Sequence, residues 1–330
     1  YIASAGVRRE AEARALVARA ERAAEHGGAP ERFATVQLAH AIIAFMSGRF
    51  DVALVAADRT AAIAAATPGG AWDLRTARIV ACWCCWFSGQ LRQLAVRVRS
   101  YLREADASSD RYSRMQLRLG VNNGAWLVID DAVGALRAVE DARATWPVED
   151  ILNLQYYGCI ARANALLYAG DDAAAAESVA TAWPLVERSL FLRVPFTHIA
   201  MREIRARASL GVAATTSDRR LRARSLAAAR ADATGIRRIG QPWCDGSAAL
   251  VDAGAAFVEG DRAEARRWLT AAAGDGRGLR LVARTAELAL CGLDGTNDVV
   301  ARSAFVAEGV AEPDRLARLF CPPFFARLGG

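Results

Sequence analysis

Residues 46–53 read "MSGRFDVA", and the same figure returns along the chain. It recurs as "SAGVRREA" (4–11), "FSGQLRQL" (87–94), "VIDDAVGA" (128–135), "YAGDDAAA" (168–175), "SLGVAATT" (209–216) and "VEGDRAEA" (258–265). Measured at Gly6, Gly48, Gly89, Asp130, Gly170, Gly211 and Gly260, the intervals are 42, 41, 41, 40, 41 and 49 residues. A near-constant period in this range marks an array of stacked supersecondary units.

Each unit carries the same signals. An apolar-periodic segment runs into a glycine able to adopt a left-handed C-cap, and a second helical segment follows. Alanine sits five residues past the turn at Ala11, Ala53, Ala135, Ala175 and Ala265, small enough to let two antiparallel helices approach. The second segments meet breakers at "TPGG" (67–70), Pro147, Pro184 and "GDG" (274–276). No run alternates as a strand would. The expectation is an all-α, right-handed α-solenoid of about seven antiparallel helical hairpins, tetratricopeptide-like, with a period of about 41 residues. It forms one array over 1–330: a truncated half repeat at 1–30, regular hairpins over 31–275, and a degenerate capping repeat and tail over 276–330. Because Gly6 is a mid-repeat turn and the first residue is Tyr1, the reading expects a longer polypeptide cut inside a repeat.

Composition restricts the chemistry. All 42 basic residues are arginine, so no phosphate-binding or Schiff-base lysine exists here. No G-x-S-x-G, H-E-x-x-H or G-x-G-x-x-G occurs, and His26, His40 and His198 are scattered. The chain is therefore expected to be non-catalytic, without cofactor or metal. The best apolar run, Ile79–Phe87, is about half the length of a membrane span, so no membrane association is expected. Seven clustered cysteines predict reduced thiols and a cytoplasmic setting.

The stretch "ACWCCWF" (81–87) poses a choice between a C-x-x-C site and helix packing. Seven residues before each turn stand Ala41, Cys82, Asn123, Ala163, Ile204 and Ala253; four before stand Ala44, Cys85, Trp126, Leu166, Arg207 and Ala256. Small or apolar residues dominate both slots, so the thiols are read as packing.

Candidate interaction residues cluster in the middle first helices: Trp83, Trp86, Asn122, Asn123, Trp126, Gln155, Tyr156, Tyr157 and Asn164, followed by His198, Arg202 and Arg205. First helices line the concave face of such arrays, and Trp, Tyr and Arg dominate interface hot spots; the alternative reading is that these rings fill space between adjacent hairpins. Between Arg188 and Arg238 twelve arginines face three acids, densest at Arg219, Arg220, Arg222 and Arg224. With no stacking platform beside it, this patch is read as a solvated face, and nucleic acid is not the expected partner.

With those residues in view, "GGAWDLRTARIVACWCCWFSGQL" (69–91) is similar to a segment of the C-terminal, tetratricopeptide-like region of large bacterial serine/threonine protein kinases that carry a central AAA-like ATPase module. "DRYSRMQLRLGVNNGAWLVIDD", "NLQYYGCIARANALLYAGD" and "SLFLRVPFTHIAMREIRARASL" resemble successive parts of that region. "GVAEPDRLARLFCPPF" resembles its closing segment, although "CPPFF" stands where relatives tend to have Pro-Gly. The resemblance implies a sensory or regulatory arm that binds a protein partner, or upstream domains of its own polypeptide, and acts on the kinase and ATPase modules. The repeat region of an ATPase-type transcriptional regulator and a stand-alone scaffold are the alternatives.

Overall fold

The computed structural model describes residues 2–27, 30–145, 151–276 and 279–326. Among the described residues there are seventeen α-helices and no strand. The chain is all-α. A 3-10 turn over Ala3–Arg9 leads into α1 (Glu10–Gly27). Antiparallel pairs follow: α2 (Pro30–Met46) with α3 (Phe50–Ala65), and α4 (Ala71–Phe87) with α5 (Leu91–Ala107). In the next pair the first member is broken into α6 (Arg111–Arg118), a 3-10 turn and α7 (Gly124–Leu127), and packs on α8 (Ala132–Thr145). Then come α9 (Ile151–Ala169) with α10 (Asp172–Arg188), α11 (Pro195–Thr215) with α12 (Arg219–Ile239), and α13 (Asp245–Glu259) with α14 (Arg262–Ala273). The last pair, α15 (Arg280–Asp294) and α16 (Val299–Val306), is shorter, and α17 (Pro313–Phe320) closes the array.

One backbone device sets the period. Gly48, Gly89, Gly170 and Gly260 are left-handed, and Asp130 takes the same conformation at φ 62°. After each, the next N–H returns to a carbonyl five residues back: Arg49 to Ala44, Gln90 to Cys85, Asp131 to Trp126, Asp171 to Leu166 and Asp261 to Ala256, at 2.8–3.0 Å. These are Schellman caps, which satisfy carbonyls that a helix end leaves orphaned. The acceptors are the residues four before each turn. The residues seven before, from Ala41 through Cys82 to Ala253, are all fully buried. Four of the five seam alanines are fully buried too. Ala11 is exposed and Ala13 buried instead, because a 3-10 turn and not a full helix precedes α1.

Two expected boundaries differ. Gly211 is no turn: α11 runs through it to Thr215, and the chain reverses at 216–218 with Asp218 capping α12. A Cβ on Gly211 would lie 2.5 Å from Asp172 Cγ, so the glycine serves a close approach between helices. Pro184 does not end α10, which continues to Arg188. The carbonyl that proline leaves without its helical donor belongs to Ala180, an exposed residue. Pro147 lies outside the described residues.

The array winds until its later part meets its earlier part. Val7 N–H reaches Gln241 Oε1 at 3.2 Å, and Arg8 donates to the Ile239 carbonyl at 2.7 Å. Gly48 packs under Trp243, and Asp51 pairs with Arg280 at 2.8 Å. Arg284 donates to the Gly89 carbonyl, Arg92 to that of Ala307, and Ala311 N–H to that of Val128. Arg315 pairs with Asp130 at 2.6 Å, and Arg318 with Asp172 at 2.7 Å. The hairpin turns from Gly6 to Gly170 thus dock, in order, along residues 239–318. The inner face is not an open trough.

Candidate functional site

The first helices turn their inner sides toward one another, and the chain fills most of the space between them. α17 and the 3-10 turn Pro322–Phe325 run along this face against α9, α11, α13 and α15. Phe320 stacks on Trp86 at 5.9 Å, the tilted rings of Phe324 and Phe257 lie 4.3 Å apart, and Cys321 reaches the Leu250 carbonyl at 3.5 Å. Arg318 donates to the Leu167 carbonyl and to Asp172; Arg207 lies 5.3 Å from the Phe320 ring and donates to the Leu319 carbonyl.

This packing decides where the expected partner residues lie. Trp86 is buried against Phe320, and Gly124 leaves room for its ring. Asn122 and Asn123 are fully buried and mend the break between α6 and α7. Their amide nitrogens donate to the carbonyls of Gln116 (3.0 Å) and of Arg118 and Ala135 (both 2.9 Å). Asn164 is buried, and Tyr156 is buried with its ring stacked on Phe191 at 5.1 Å. Trp126 is half-buried against the core, and Gln155 lines a polar cleft between α8 and α10. Of these seven side chains Tyr156 alone also borders the apolar cup described next, and the other six are interior or lie away from a shared inner surface.

Trp83 and Tyr157 remain half-buried and stack on each other at 6.0 Å. With Phe45, Phe87 and Phe196 they line an apolar cup of about 60 Å³ that no charged side chain borders. Phe45 lies 4.7 Å from Phe196 and 5.7 Å from both Trp83 and Phe87, so four first helices meet in one ring cluster. The three phenylalanines are far apart in the sequence, so no local pattern joins them. Their positions beside the turns at Gly48 and Gly89, and just inside α11, were the available signal.

His198, Arg202 and Arg205 lie together on another side of α11. Arg202 Nη1 donates to Asp232 Oδ1 at 2.8 Å, and Arg205 grips the same carboxylate through Nε (2.7 Å) and Nη2 (2.6 Å). Arg202 Nε donates to His198 Nε2 at 2.9 Å. Burial, and then the Arg202 cation, hold His198 below its ordinary range, so its ring stays neutral and accepts this bond. The Arg205 guanidinium lies over Trp183, its Cζ 3.5 Å from the ring centre. Asp232 was legible as one of three acids in the arginine-rich stretch, but its role depends on the α11–α12 packing.

Arg219, Arg220 and Arg224 are exposed on α12, whereas Arg222 turns in to donate to the Ala213 and Thr216 carbonyls. All seven cysteines are free thiols, six of them buried. Burial pushes Cys85 and Cys159 up to about 12, and Cys82 and Cys84 higher still. Such thiols act as small hydrophobes, not nucleophiles. Among the described residues no group of three or more His, Cys, Asp or Glu could hold a metal ion, and no helix is long and apolar enough to cross a membrane.

Compared with family models, with curated proteins and with solved structures, the chain finds no match.

Proposed function

We propose that this chain is a non-catalytic protein-interaction region, working in the cytoplasm as the regulatory arm of a larger signalling polypeptide. Its ordered repeats resemble the region that follows the kinase and AAA-like ATPase modules of bacterial serine/threonine kinases. One observation carries the reading. The inner face already holds a segment of protein, residues 313–325, by arginine in a carboxylate-and-carbonyl cradle and phenylalanine on tryptophan. Beside it the Trp83–Tyr157–Phe196 cup stands ready for an apolar anchor of a partner. Helical grooves recognise segments through such periodic anchors. The absence of lysine and the buried thiols leave little for reaction chemistry.

A photo-crosslinking residue in place of Trp83 should join the chain to one defined protein segment, while the same residue in place of exposed Trp72 should not. Clear ATP turnover by residues 1–330, or crosslinks that do not depend on position 83, would overturn the proposal.

A further inference from the structure

The cluster around Asp232 has more positive charge than its own packing requires. A carboxylate with no exposure needs one well-placed cation; here two guanidinium groups converge on it. Arg205 alone satisfies both of its oxygens in the bidentate manner that suits arginine and carboxylate. Arg202 then adds a second cation, and its neighbour His198 is neutral, so the cluster holds an unbalanced charge of one. Leaving such a charge partly out of water is unfavourable unless a second anion completes it.

The geometry favours an anion in particular. Arg202 Nη2 and Arg205 Nη1 make no hydrogen bond among the described residues, and the two side chains remain 24% and 32% exposed. Both guanidinium planes are fixed in advance, one on Asp232 and His198, the other on Asp232 and Trp183. Pre-organised forks lose little freedom on binding. A glycine leaves room for Arg202. Gly235 stands inside α12, where glycine is unfavourable, and a Cβ there would lie 2.5 Å from Arg202 Nη1 and 2.7 Å from its Cζ. The exposed arginines at 219, 220 and 224 have none of this support.

We infer that Arg202 and Arg205, held by Asp232 and Trp183 between α10, α11 and α12, form a preformed site for a phosphate monoester dianion. Two fixed forks with spare N–H groups match the three equivalent oxygens of such a group, which a single carboxylate would only partly engage. The inference stands independently of the proposed partner cup, which lies on the other side of α11.

Calorimetric titration of the full chain with inorganic phosphate, a phosphoserine peptide and its unphosphorylated twin tests it. Binding of the phosphopeptide but not of inorganic phosphate identifies a phosphorylated protein as the source; comparable binding of both identifies free phosphate compounds. In either case Arg202→Lys and Arg205→Lys, which keep the charge but lose the fork, should weaken binding at least about tenfold. Gly235→Ala should do the same by displacing Arg202. The Arg219→Gln, Arg220→Gln, Arg224→Gln triple variant should bind as the parent does. Failure of both phosphate probes to bind at millimolar concentration, or equal binding by the folded lysine variants, overturns the site; so does loss confined to the triple variant.

Discussion

Arg318 Nη2 lies 2.7 Å from Asp172 Oδ2, joining residues 146 positions apart whose side chains are both buried. The pair ties the closing helix α17 to the start of α10. Burial raises the Asp172 carboxyl above its ordinary range, and Arg318 draws it back. Their energetic meaning is asymmetric. A buried pair stabilises little over a well-packed apolar replacement, but removing one member strands the other's charge.

Arg318→Met should therefore cost about 3–5 kcal/mol in urea denaturation. Adding Asp172→Asn removes the stranded carboxylate and should recover part of that loss. A double variant no more stable than Arg318→Met alone would show that the charge pair is not what holds α17.

Gly211→Ala should destabilise, against the helix-propensity gain of about 1 kcal/mol that alanine brings to a helix interior. The added methyl would strike Asp172, whose other oxygen is held by Arg318. A variant of equal or higher Tm would mean that Asp172 moves aside freely.

The same glycine shows how far the sequence could be read. A glycine at the right interval predicts a turn, and at 48, 89, 170 and 260 the Schellman geometry is there. At 211 the identical signal has another cause, a contact with a residue 39 positions earlier, which no local pattern reveals. Asn122 and Asn123 mislead in the same way. Polar amides on a first helix suggest a partner surface, yet here they satisfy the Gln116 and Arg118 carbonyls at the break near Gly120 and reach across to the Ala135 carbonyl of α8. The slots of Cys82 and Cys85 were legible because packing between hairpin helices repeats with the chain. The winding that brings Trp243 under Gly48 and Phe320 onto Trp86 was not, because small rotations between hairpins add up without leaving a motif.

Asp130 is the one non-glycine among the five capping turns, at φ 62°, and its carboxylate accepts from Tyr168 Oη (2.9 Å) and Arg315 Nη1 (2.6 Å). Asp130→Ala forfeits both bonds and keeps the left-handed strain; Asp130→Gly forfeits the bonds but relieves the strain. The glycine variant should be the more stable of the two by about 1 kcal/mol. Equal stabilities would show that the turn does not hold its φ.

Thiol labelling under native conditions should be uneven. Cys291 is half-buried and the other six cysteines are buried. A neutral-pH disulfide reagent should modify one thiol quickly, and the rest only at the rate at which the chain opens. Fast labelling within 82–85 would contradict the packing of α4.

His198 gives the array a pH dependence whose sign can be worked out. Its folded imidazole is held below the ordinary value of 6.5, first by burial and then by Arg202, while Asp232 opposes and Arg205 adds to the shift. Protonation would also break the bond that Nε2 accepts from Arg202. As pH falls, the unfolded chain takes up this proton before the folded one. The contribution of His198 is thus fully present above 6.5 and is lost as pH falls from there to the lower folded value. His198→Gln retains an acceptor for Arg202 but cannot titrate. The difference in Tm, variant minus parent, should be smallest or most negative at about pH 8 and should rise as the medium approaches about pH 5. Parallel Tm curves for parent and variant across that interval would show that the ring does not titrate differently on folding.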